Sequence, residues 1–471
     1  MQIVNKLEKS YDRNLILIFE EDKNYCEYIS EEGKKLIEVL KEKNDFQGKK
    51  GEVLSLNFLQ NGYLISMDIL GFGKKENYNE NIFREVLFKY LTGKKGDILV
   101  SSNNKELNNP RLICEIEGNI NYSFDEFKAK KDEKLNLDFF SIENLDISED
   151  IVLNEATNIT RNLVDLPANI INPESLAQKV EELGKEYGFD VEILDDKKIQ
   201  ELGMNLLYNV GKASITKPRL IVMRYFGDRD SKNIVGLVGK GLTYDTGGLC
   251  IKPADSMFTM KSDMAGGATV IGAMCAVSKN KIRKNVVAVV PACENSISGE
   301  AYRPGDIIKA MNGEYVEIIN TDAEGRLALA DAITYIIEKE KVDEVVELST
   351  LTGAMVVALG TFMTGVFSNN DKNYLELENS CKKYGERIWR MPLDEEFKEL
   401  LKSDVADIKH MGNRWGGAIT AAKFLENFAK DIPWTHMDIA GTAYDNTSKW
   451  LKKGASGVHV KGLYDYCKNK E

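Results

Sequence analysis

Histidine is scarce in this chain: only His410, His436 and His459 occur among 471 residues. The chain therefore has few histidines from which to build a histidine-rich zinc site or a Ser-His-Asp triad. It also contains neither an HExxH nor a GxSxG motif. His436 lies in the strand-like run PWTHMDIAG, where we expect a hydrogen-bonded histidine of the core. If the chain is an enzyme, we expect its chemistry to rest on carboxylates and lysines.

An excess of basic residues and long apolar runs are also missing. Lys plus Arg is 62 and Asp plus Glu is 74, which gives a formal net charge of −12. This acidic balance argues against general binding to nucleic acids or anionic membranes, both of which attract basic surfaces. No run approaches the length of a membrane span, and the N-terminus has only the apolar run LILIF and no signal-peptide cleavage site. We expect a cytoplasmic protein.

Cysteines at metal-binding or redox spacing are absent as well. The seven cysteines are scattered along the chain, and no CxxC motif occurs. In a chain of this length we expect them to be reduced, buried residues that behave as small hydrophobic side chains.

The hydrophobic pattern predicts an α/β protein with two domains. Up to residue 145, strand-like runs alternate with helical stretches such as EEGKKLIEVLKEK and NENIFREVLFKYL. The strand-like runs are LILIF, VLSLNFL, YLISMDIL, DILVSS and RLICEIE, whereas FDEFKAKKDEKLNLD loses the periodicity. Residues 146–168 contain one connecting helix, SEDIVLNEATNITRNLVDL, which ends before Pro167.

Residues 169–471 predict a larger second domain. Its candidate strands are DVEILD, RLIVMRYF, NIVGLVGK, VVAVVPACE, YVEIIN, EVVELST and WTHMDIAG. Several are continuous runs of β-branched residues, which is typical of strands buried on both faces of a mainly parallel sheet. Helical stretches such as AGGATVIGAMCAVSK and AITAAKFLENFAK fill the gaps and would flank this central sheet.

Three ionisable residues, Asp322, Glu324 and Arg326, follow one another in NTDAEGRL, between strand-like YVEIIN and helical LALADAITYIIEKEK. Side chains two residues apart on a helix point about 200° away from each other, so the two acids can share a cation only on an extended or turning segment. Gly325 would let the backbone turn sharply into the helix. Alternatively, the acids only complement the dipole of that helix. The octapeptide alone leaves both alternatives open.

More lysines and acids lie at the ends of neighbouring elements. In GLVGKGLTYDTGG, Lys240 and Asp245 follow a strand in a glycine-rich turn that is neither a P-loop nor a GxGxxG motif. A lysine at an apolar strand end is rare without a partner, because burying an ammonium group is costly. IKPADSM contains Lys252, and MKSDMAGG contains Asp263, for which a plain helix N-cap is the alternative.

Taken together, GLVGKGLTYDTGG, IKP, MKSDMAGGA, NTDAEGRL, ELSTLTGA and WTHMDIAGTA resemble the leucyl aminopeptidases, the M17 family of cytosol aminopeptidases. The resemblance is close from about residue 150 onward and only general before residue 145. It implies a smaller, macro-like N-terminal α/β domain before a catalytic domain. It also implies a homohexamer that removes N-terminal residues, preferentially leucine and other large apolar ones, from peptides with a free N-terminus.

The resemblance further implies two divalent metal ions per subunit, Zn²⁺, Mn²⁺ or Mg²⁺. Lys240, Asp263, Asp245 and Glu324 would hold one ion, and Asp245, Asp322 and Glu324 the other. Lys252 corresponds to the family's electrophilic lysine, and Arg326 to the arginine that holds a bicarbonate ion as general base. The substrate contacts implied are Met260, Asn320, Thr350, Leu351, Gly353, Ala440 and Ala443.

The implied chemistry agrees with the residue types. Two divalent ions about 3.5–4 Å apart acidify a bridging water to hydroxide and polarise a carbonyl group. Lys240 ligates a metal only as the neutral amine, so metal binding must release its proton. The substrate's free α-amine would bind one metal, which limits cleavage to the first peptide bond.

Two other functions stay open at this point. A dinuclear metal phosphoesterase would use the same ions to clamp a phosphate, but the acidic balance and the single arginine in the motifs disfavour it. A DNA-binding or regulatory role, which some bacterial members of the family have, would need a basic stripe, and the sequence shows none.

Overall fold

A computed structural model of the chain describes residues 1–6, 10–22, 28–60, 63–143, 145–445 and 448–470. The chain divides into two compact units. The first is Met1–Glu155 with Ser448–Lys452, and the second is Ala156–Thr447 with Lys453–Glu471. The division falls within helix α4 (Ser148–Asp165), which corresponds to the predicted connecting helix.

The first unit is an α/β layer structure built on a six-stranded sheet. Its strands are β1 (Gln2–Val4), β2 (Arg13–Ile18), β3 (Val53–Gln60), β4 (Tyr63–Gly71), β5 (Gly96–Ser101) and β6 (Leu135–Phe140), and its helices are α1 (Glu31–Lys43), α2 (Glu80–Leu91) and α3 (Pro110–Asn121). The strand order is β1-β6-β5-β2-β4-β3, with only the β3–β4 pair antiparallel. Alternate residues of β2 pack against α2 and α3 on one face and against α1 on the other.

Two predictions in the first unit are wrong. The run RLICEIE forms part of α3 rather than a strand, because Asn109 caps the helix by accepting from the Leu112 amide and Pro110 occupies its first turn. The segment FDEFKAKKDEKLNLD, expected to be irregular, runs into β6. There Leu137 and Phe139 alternate into the core, a pattern that the preceding lysines obscured.

The second unit contains a nine-stranded mixed sheet and a three-stranded sheet. Its strands are β7 (Asp190–Leu194), β8 (Arg219–Phe226), β9 (Ile234–Gly239), β10 (Gly241–Asp245), β11 (Asn285–Asn295), β12 (Ile307–Lys309), β13 (Tyr315–Glu317), β14 (Glu344–Ser349), β15 (Thr364–Ser368), β16 (Ile388–Arg390), β17 (Ile408–Lys409) and β18 (Trp434–Asp438). Besides the C-terminal part of α4, its helices are α5 (Pro173–Tyr187), α6 (Asp196–Glu201), α7 (Asn205–Gly211), α8 (Ala254–Met257), α9 (Ala265–Lys279), α10 (Gly325–Glu338), α11 (Gly353–Leu359), α12 (Asp371–Lys383), α13 (Gly417–Ala429) and α14 (Val460–Asn469).

The large sheet has the order β16-β15-β18-β14-β9-β11-β8-β7, and β10 pairs with β11. Strands β18, β14, β9 and β11 run parallel, whereas β8 pairs antiparallel with β11 and β15 pairs antiparallel with β18. Helices α7, α10 and α13 share one hydrophobic core with this sheet, and α9 packs on β9, β11 and β14. The predicted architecture, two α/β domains with a mainly parallel central sheet flanked by helices, is confirmed.

The strand before NTDAEGRL differs from its prediction. Only Tyr315–Glu317 of YVEIIN forms a strand, and this strand, β13, pairs with β12 and β17 in the three-stranded sheet. Beyond it, the Ile319 amide donates to the ring of His410 instead of to a neighbouring strand. Among the described residues, no helix is long and apolar enough to cross a membrane.

The remaining cysteine and histidine predictions concern the core. The cysteines that lie in the described ranges are reduced; Cys250 is half-buried and the others are buried. Cys26 lies outside the described residues. His436 is fully buried and its Nδ1 lies 2.5 Å from Glu347 Oε2, so the predicted core histidine is confirmed.

Candidate active site

The predicted ligands converge at the carboxyl ends of parallel strands. Lys240 directly follows β9, Asp245 is the last residue of β10, and Thr350 directly follows β14. Because these strands are parallel neighbours in one sheet, their ends lie at the same edge. Residues as far apart in sequence as Lys240 and Thr350 therefore touch: the lysine Nζ donates to the threonine carbonyl at 3.1 Å.

Lys240 is buried among acids. Its Nζ lies 2.7 Å from Asp263 Oδ2 and 3.1 Å from Glu324 Oε1. Asp263 belongs to a 3₁₀ segment, Met260–Met264, and the residue that caps α9 is Met264. The N-cap alternative for Asp263 is therefore wrong. Its second oxygen, Oδ1, instead accepts from the Thr350 hydroxyl at 2.7 Å.

Lys252 lies on the other side of the cluster. Its Nζ is 2.8 Å from Asp245 Oδ2 and 2.5 Å from Asp322 Oδ1. Asp245, Asp322 and Glu324 each present one carboxylate oxygen, and these oxygens lie within 4.8 Å of one another. The two acids of NTDAEGRL thus face a common point, as the cation hypothesis requires.

The donor set fits divalent cations. Four carboxylates face two ammonium groups, so the cluster keeps an excess of negative charge. Glu324 Oε2 is buried and has no hydrogen-bond partner among the described residues. An unpaired buried carboxylate oxygen is costly unless a cation or donor meets it. Carboxylate oxygens with one amine suit hard or borderline ions such as Mg²⁺, Mn²⁺ and Zn²⁺.

The electrostatics of the side chains set the conditions for metal binding. Burial raises the pKa of Asp245, and the nearby carboxylates of Glu324 and Asp263 raise it further. Burial alone would lower the pKa of Lys240, but the carboxylates of Asp263, Glu324 and Asp245 outweigh it and raise the pKa above its ordinary value. Ligation by Lys240 therefore requires the loss of a proton that these acids stabilise.

Gly325 has a different role from the predicted one. It is the first residue of α10, so no sharp turn depends on it, and Glu324 at the N-cap position makes no side-chain capping bond. A Cβ atom on Gly325 would lie 2.4 Å from Lys240 Cε and 2.7 Å from its Nζ. The glycine is needed because the lysine passes directly over it.

Arg326 is buried beside the cluster. Its Nη1 donates to the His410 carbonyl at 3.0 Å, whereas its Nε has no hydrogen-bond partner among the described residues. Burial lowers the pKa of Arg326 to about 10, against the opposing effect of Glu324 and Asp438. The guanidinium therefore stays charged near neutral pH and keeps a free donor, which suits an anion.

Comparison with known proteins agrees with this geometry. Residues 158–464 match the catalytic domain of the cytosol aminopeptidase family, and residues 16–131 match its N-terminal domain. The chain belongs to the cytosol aminopeptidase family. The protein is therefore a hydrolase, a metal-dependent aminopeptidase that acts on peptides. Membership of this family leaves no support for the alternative of a metal phosphoesterase.

Relatives of this aminopeptidase match it over nearly their whole length. A probable cytosol aminopeptidase of Fusobacterium nucleatum is 46% identical over 99% of both chains, and one of Clostridium perfringens is 41% identical over 96% of both. Among solved structures, the bottromycin maturation enzyme BotP in complex with Mn has a TM-score of 0.84 and 27% identity, covering 98% of this chain and 99% of its own.

Three polar residues that support the aminopeptidase site were not predicted from the sequence. Asn295, the last residue of β11, donates from Nδ2 to Asp245 Oδ1 at 2.8 Å and to the Thr321 carbonyl at 2.9 Å. His410 Nδ1 lies 3.2 Å from the Ile319 amide nitrogen and 3.1 Å from the Glu317 carbonyl oxygen, and its Nε2 lies 2.9 Å from the Asn320 carbonyl oxygen. Burial lowers the pKa of His410 to about 4, and the nearby Arg326 acts in the same direction. The ring therefore stays neutral.

Asp438, the third of these residues, aligns two segments of predicted substrate contacts. Its Oδ1 accepts from the amides of Leu351 and Ala440, each at 3.2 Å, and its Oδ2 accepts from the Thr352 hydroxyl at 2.6 Å. Asn295 and Asp438 are the last residues of the observed strands β11 and β18. In the sequence, Asn295 directly follows the predicted strand VVAVVPACE, and Asp438 lies within WTHMDIAG. A polar residue at such a position is the signal that could have indicated them.

The predicted substrate contacts differ in accessibility. Gly353 is exposed at the start of α11, whereas Ala443 is only 3% exposed. The half-buried ones are Met260, Asn320, Thr350, Leu351 and Ala440. Two of these have polar groups that are already bonded: the Thr350 hydroxyl to Asp263, and Asn320 Oδ1 to the Asp322 amide at 2.8 Å.

Proposed function

We propose that this aminopeptidase releases leucine and other large apolar residues from the free N-termini of peptides, using two divalent metal ions per subunit, Zn²⁺ or Mn²⁺. The observation that carries the proposal is the convergence of carboxylate oxygens from Asp245, Asp322 and Glu324 within 4.8 Å, beside the buried Lys240–Asp263 pair. One ion would lie among the first three residues. The other would lie between that cluster and the pair.

The ligand roles follow the two halves of the cluster. Lys240, Asp245, Asp263 and Glu324 would hold one ion, and Asp245, Asp322 and Glu324 the other. Glu324 would serve both ions: its Oε1 lies 3.1 Å from Lys240 Nζ, and its Oε2 has no hydrogen-bond partner among the described residues. Asn295 would orient Asp245 by holding its Oδ1.

Two side chains would act on the reacting groups. When bound, the metal ions supply an acidified water and a polarised peptide carbonyl. Lys252 would place positive charge beside the carbonyl oxygen as it becomes negative, since its ammonium contacts Asp245 at 2.8 Å and its side chain is 15% exposed. Arg326 would hold a bicarbonate ion, and the bicarbonate would act as the general base. The Nε of Arg326 has no hydrogen-bond partner among the described residues, and Glu324 is nearby.

Substrate selection would depend on the segments that Asp438 aligns. The loops after β14 and β18 carry Thr350, Leu351, Gly353, Ala440 and Ala443, and Met260 lies three residues before Asp263. Small and apolar side chains here would accommodate a large apolar residue of the substrate. Asn320 and Leu351 would contact the peptide backbone, and the α-amine of the substrate would bind a metal, so that only the first residue is removed.

Mass spectrometry of a decapeptide digest tests the exopeptidase proposal. A peptide that begins with leucine should lose single residues successively from its N-terminus. The same peptide with an Nα-acetyl cap should resist, because acetylation removes the lone pair that the α-amine needs for ligation. Internal fragments, or equal cleavage of the capped peptide, would refute the proposal. Leucyl-p-nitroanilide compared with the alanyl and glutamyl analogues tests the apolar preference.

We also propose a cytoplasmic homohexamer, as the family resemblance implies. Analytical ultracentrifugation checks the assembly, and a stable, active monomer would contradict it. Residues 1–145, 146–168 and 169–471 are proposed as N-terminal domain, connecting helix and catalytic domain. Limited proteolysis with mass analysis of the fragments tests those boundaries.

A further inference from the structure

A second set of metal-binding side chains occurs in the large unit and shares no residue with the active site. Cys381 lies in the last turn of α12, Glu386 in the loop that follows, and His459 at the N-cap position of α14. One donor atom of each side chain (the cysteine sulfur, a carboxylate oxygen and a ring nitrogen) lies within 4.8 Å of the other two. The cysteine and histidine side chains are buried, and that of Glu386 is 13% exposed.

The distances between these donors match those around a zinc ion. His459 Nδ1 lies 3.6 Å from Cys381 Sγ and 3.4 Å from Glu386 Oε2. Zinc binds sulfur at about 2.3 Å and nitrogen or oxygen at about 2.0–2.1 Å, in tetrahedral sites. At a tetrahedral angle these lengths place nitrogen about 3.6 Å from sulfur and about 3.3 Å from oxygen. Both distances from His459 Nδ1 thus agree with those between ligands of one ion.

A hydroxyl group contacts the second ring nitrogen of His459. The Thr364 hydroxyl lies 2.7 Å from His459 Nε2 and 2.7 Å from the Thr442 hydroxyl. Metal-binding histidines usually donate their second ring N–H to such a partner, which leaves the other nitrogen free to bind the metal. A hydrogen on Nε2 would therefore leave the lone pair of Nδ1 facing the cysteine and the carboxylate.

Glu386 is held in place by the backbone. Its Oε1 accepts from the His459 amide at 2.7 Å, and its Oε2 accepts from the Gly462 amide at 3.1 Å. These bonds fix the carboxylate at the start of α14. Its Oε2 also lies 3.4 Å from His459 Nδ1. A metal ion bound by this oxygen, the ring nitrogen and the cysteine sulfur would satisfy all three donors.

We propose that Cys381, Glu386 and His459 bind a zinc ion that joins the end of α12 to the start of α14. The sulfur, nitrogen and oxygen donors favour Zn²⁺ over Mg²⁺ or Ca²⁺. The site has no sequence motif because its cysteine and histidine are 78 residues apart. The ion would join two packed helices, and it would share no ligand with the proposed catalytic residues.

Metal analysis of the full-length protein tests the site. After equilibration with Zn²⁺ and removal of loosely bound metal, the wild type should contain one zinc ion more per chain than Cys381→Ser. The matched control is Cys467→Ser, which changes a buried cysteine on α14 outside the ligand group and should retain the wild-type zinc content. Cys381→Ser should also lose thermal stability while hydrolysing leucyl-p-nitroanilide normally. Equal zinc content in the wild type and Cys381→Ser would overturn the proposal.

Cobalt substitution gives a second readout that needs no ligand variant. The proposed active-site ligands are oxygen and nitrogen atoms, so a thiolate-to-cobalt charge-transfer band reports only a cysteine ligand. The Co²⁺-loaded wild type should show this band. Cys250→Ser, which alters the half-buried cysteine beside Thr321, should retain it. A loaded wild type without the band, or loss of the band in Cys250→Ser, would refute the zinc site even if Cys381→Ser fails to fold.

Discussion

Replacing Gly325 by alanine should disable the active site without unfolding the protein. The new Cβ would lie 2.4 Å from Lys240 Cε and 2.7 Å from Lys240 Nζ. Real Cβ atoms essentially never approach other atoms that closely, so something has to move. Because the obstacle is the far end of a flexible side chain, the lysine will shift rather than the backbone of α10.

The size of the shift sets the expected loss. Ordinary contact begins at 3.4 Å, so the lysine tip has to retreat by 3.4 − 2.4 = 1.0 Å. Misplacement of a catalytic group by about 1 Å costs on the order of 10²-fold in rate. Overpacking of this kind would lower the free energy of unfolding by at most about 1–3 kcal/mol. The gain of up to about 1 kcal/mol from placing alanine instead of glycine in a helix offsets part of it.

Three measurements on Gly325→Ala test this reasoning. The value of kcat/KM for leucyl-p-nitroanilide should fall about 10²-fold. Metal content after gel filtration should also fall, whereas the thermal unfolding midpoint should change little. Gly299→Ala is the matched control, because nothing lies within 4 Å of its new Cβ. An alanine variant with wild-type activity and metal content would show that Lys240 neither ligates nor needs its observed position.

Three further predictions follow from individual contacts. Lys252→Ala should lower kcat about 10²–10³-fold, as for the loss of one oxyanion donor, with unchanged metal content; a raised KM at constant kcat would contradict this. Asn295→Ala should weaken metal retention, because Asp245 Oδ1 loses its side-chain donor at 2.8 Å and keeps only the Gly247 amide at 2.9 Å; metal loss at the wild-type rate in dialysis against a chelator would contradict this. Burial raises the pKa of Asp331 from 3.8 to about 7, so the folded state binds this proton more tightly than the unfolded chain. The contribution of Asp331 to the free energy of unfolding therefore falls as pH rises from 3.8 to about 7. In Asp331→Asn, the free energy of unfolding from urea denaturation should depend less on pH over this interval, and an unchanged pH dependence would contradict the prediction.

Local patterns predicted most of the elements. EEGKKLIEVLKEK and AGGATVIGAMCAVSK coincide with α1 and α9, and each strand predicted for the large unit overlaps an observed strand. The failures have local causes as well. Asn109 and Pro110 begin a helix where β-branched residues suggested a strand, and the lysines before Leu135 concealed β6. The position of YVEIIN along the chain also did not show that β13 belongs to the three-stranded sheet and not to the large one.

The sequence by itself determined the family and placed the acids and lysines of the site at strand ends. Short motifs such as NTDAEGRL preserve residue type and spacing, and parallel strands bring their carboxyl ends together. The ligand assignments themselves stay predictions. Their test lies in the metal and kinetic measurements.

Only the tertiary structure decided which of those groups touch. Lys240 meets Asp263 and passes over Gly325, and Asn295 reaches Asp245 across 50 residues of chain. Cys381 and His459 lie together although they are 78 residues apart. Such contacts depend on how distant helices and strands pack against one another, and a sequence pattern, which records only near neighbours along the chain, does not contain that information.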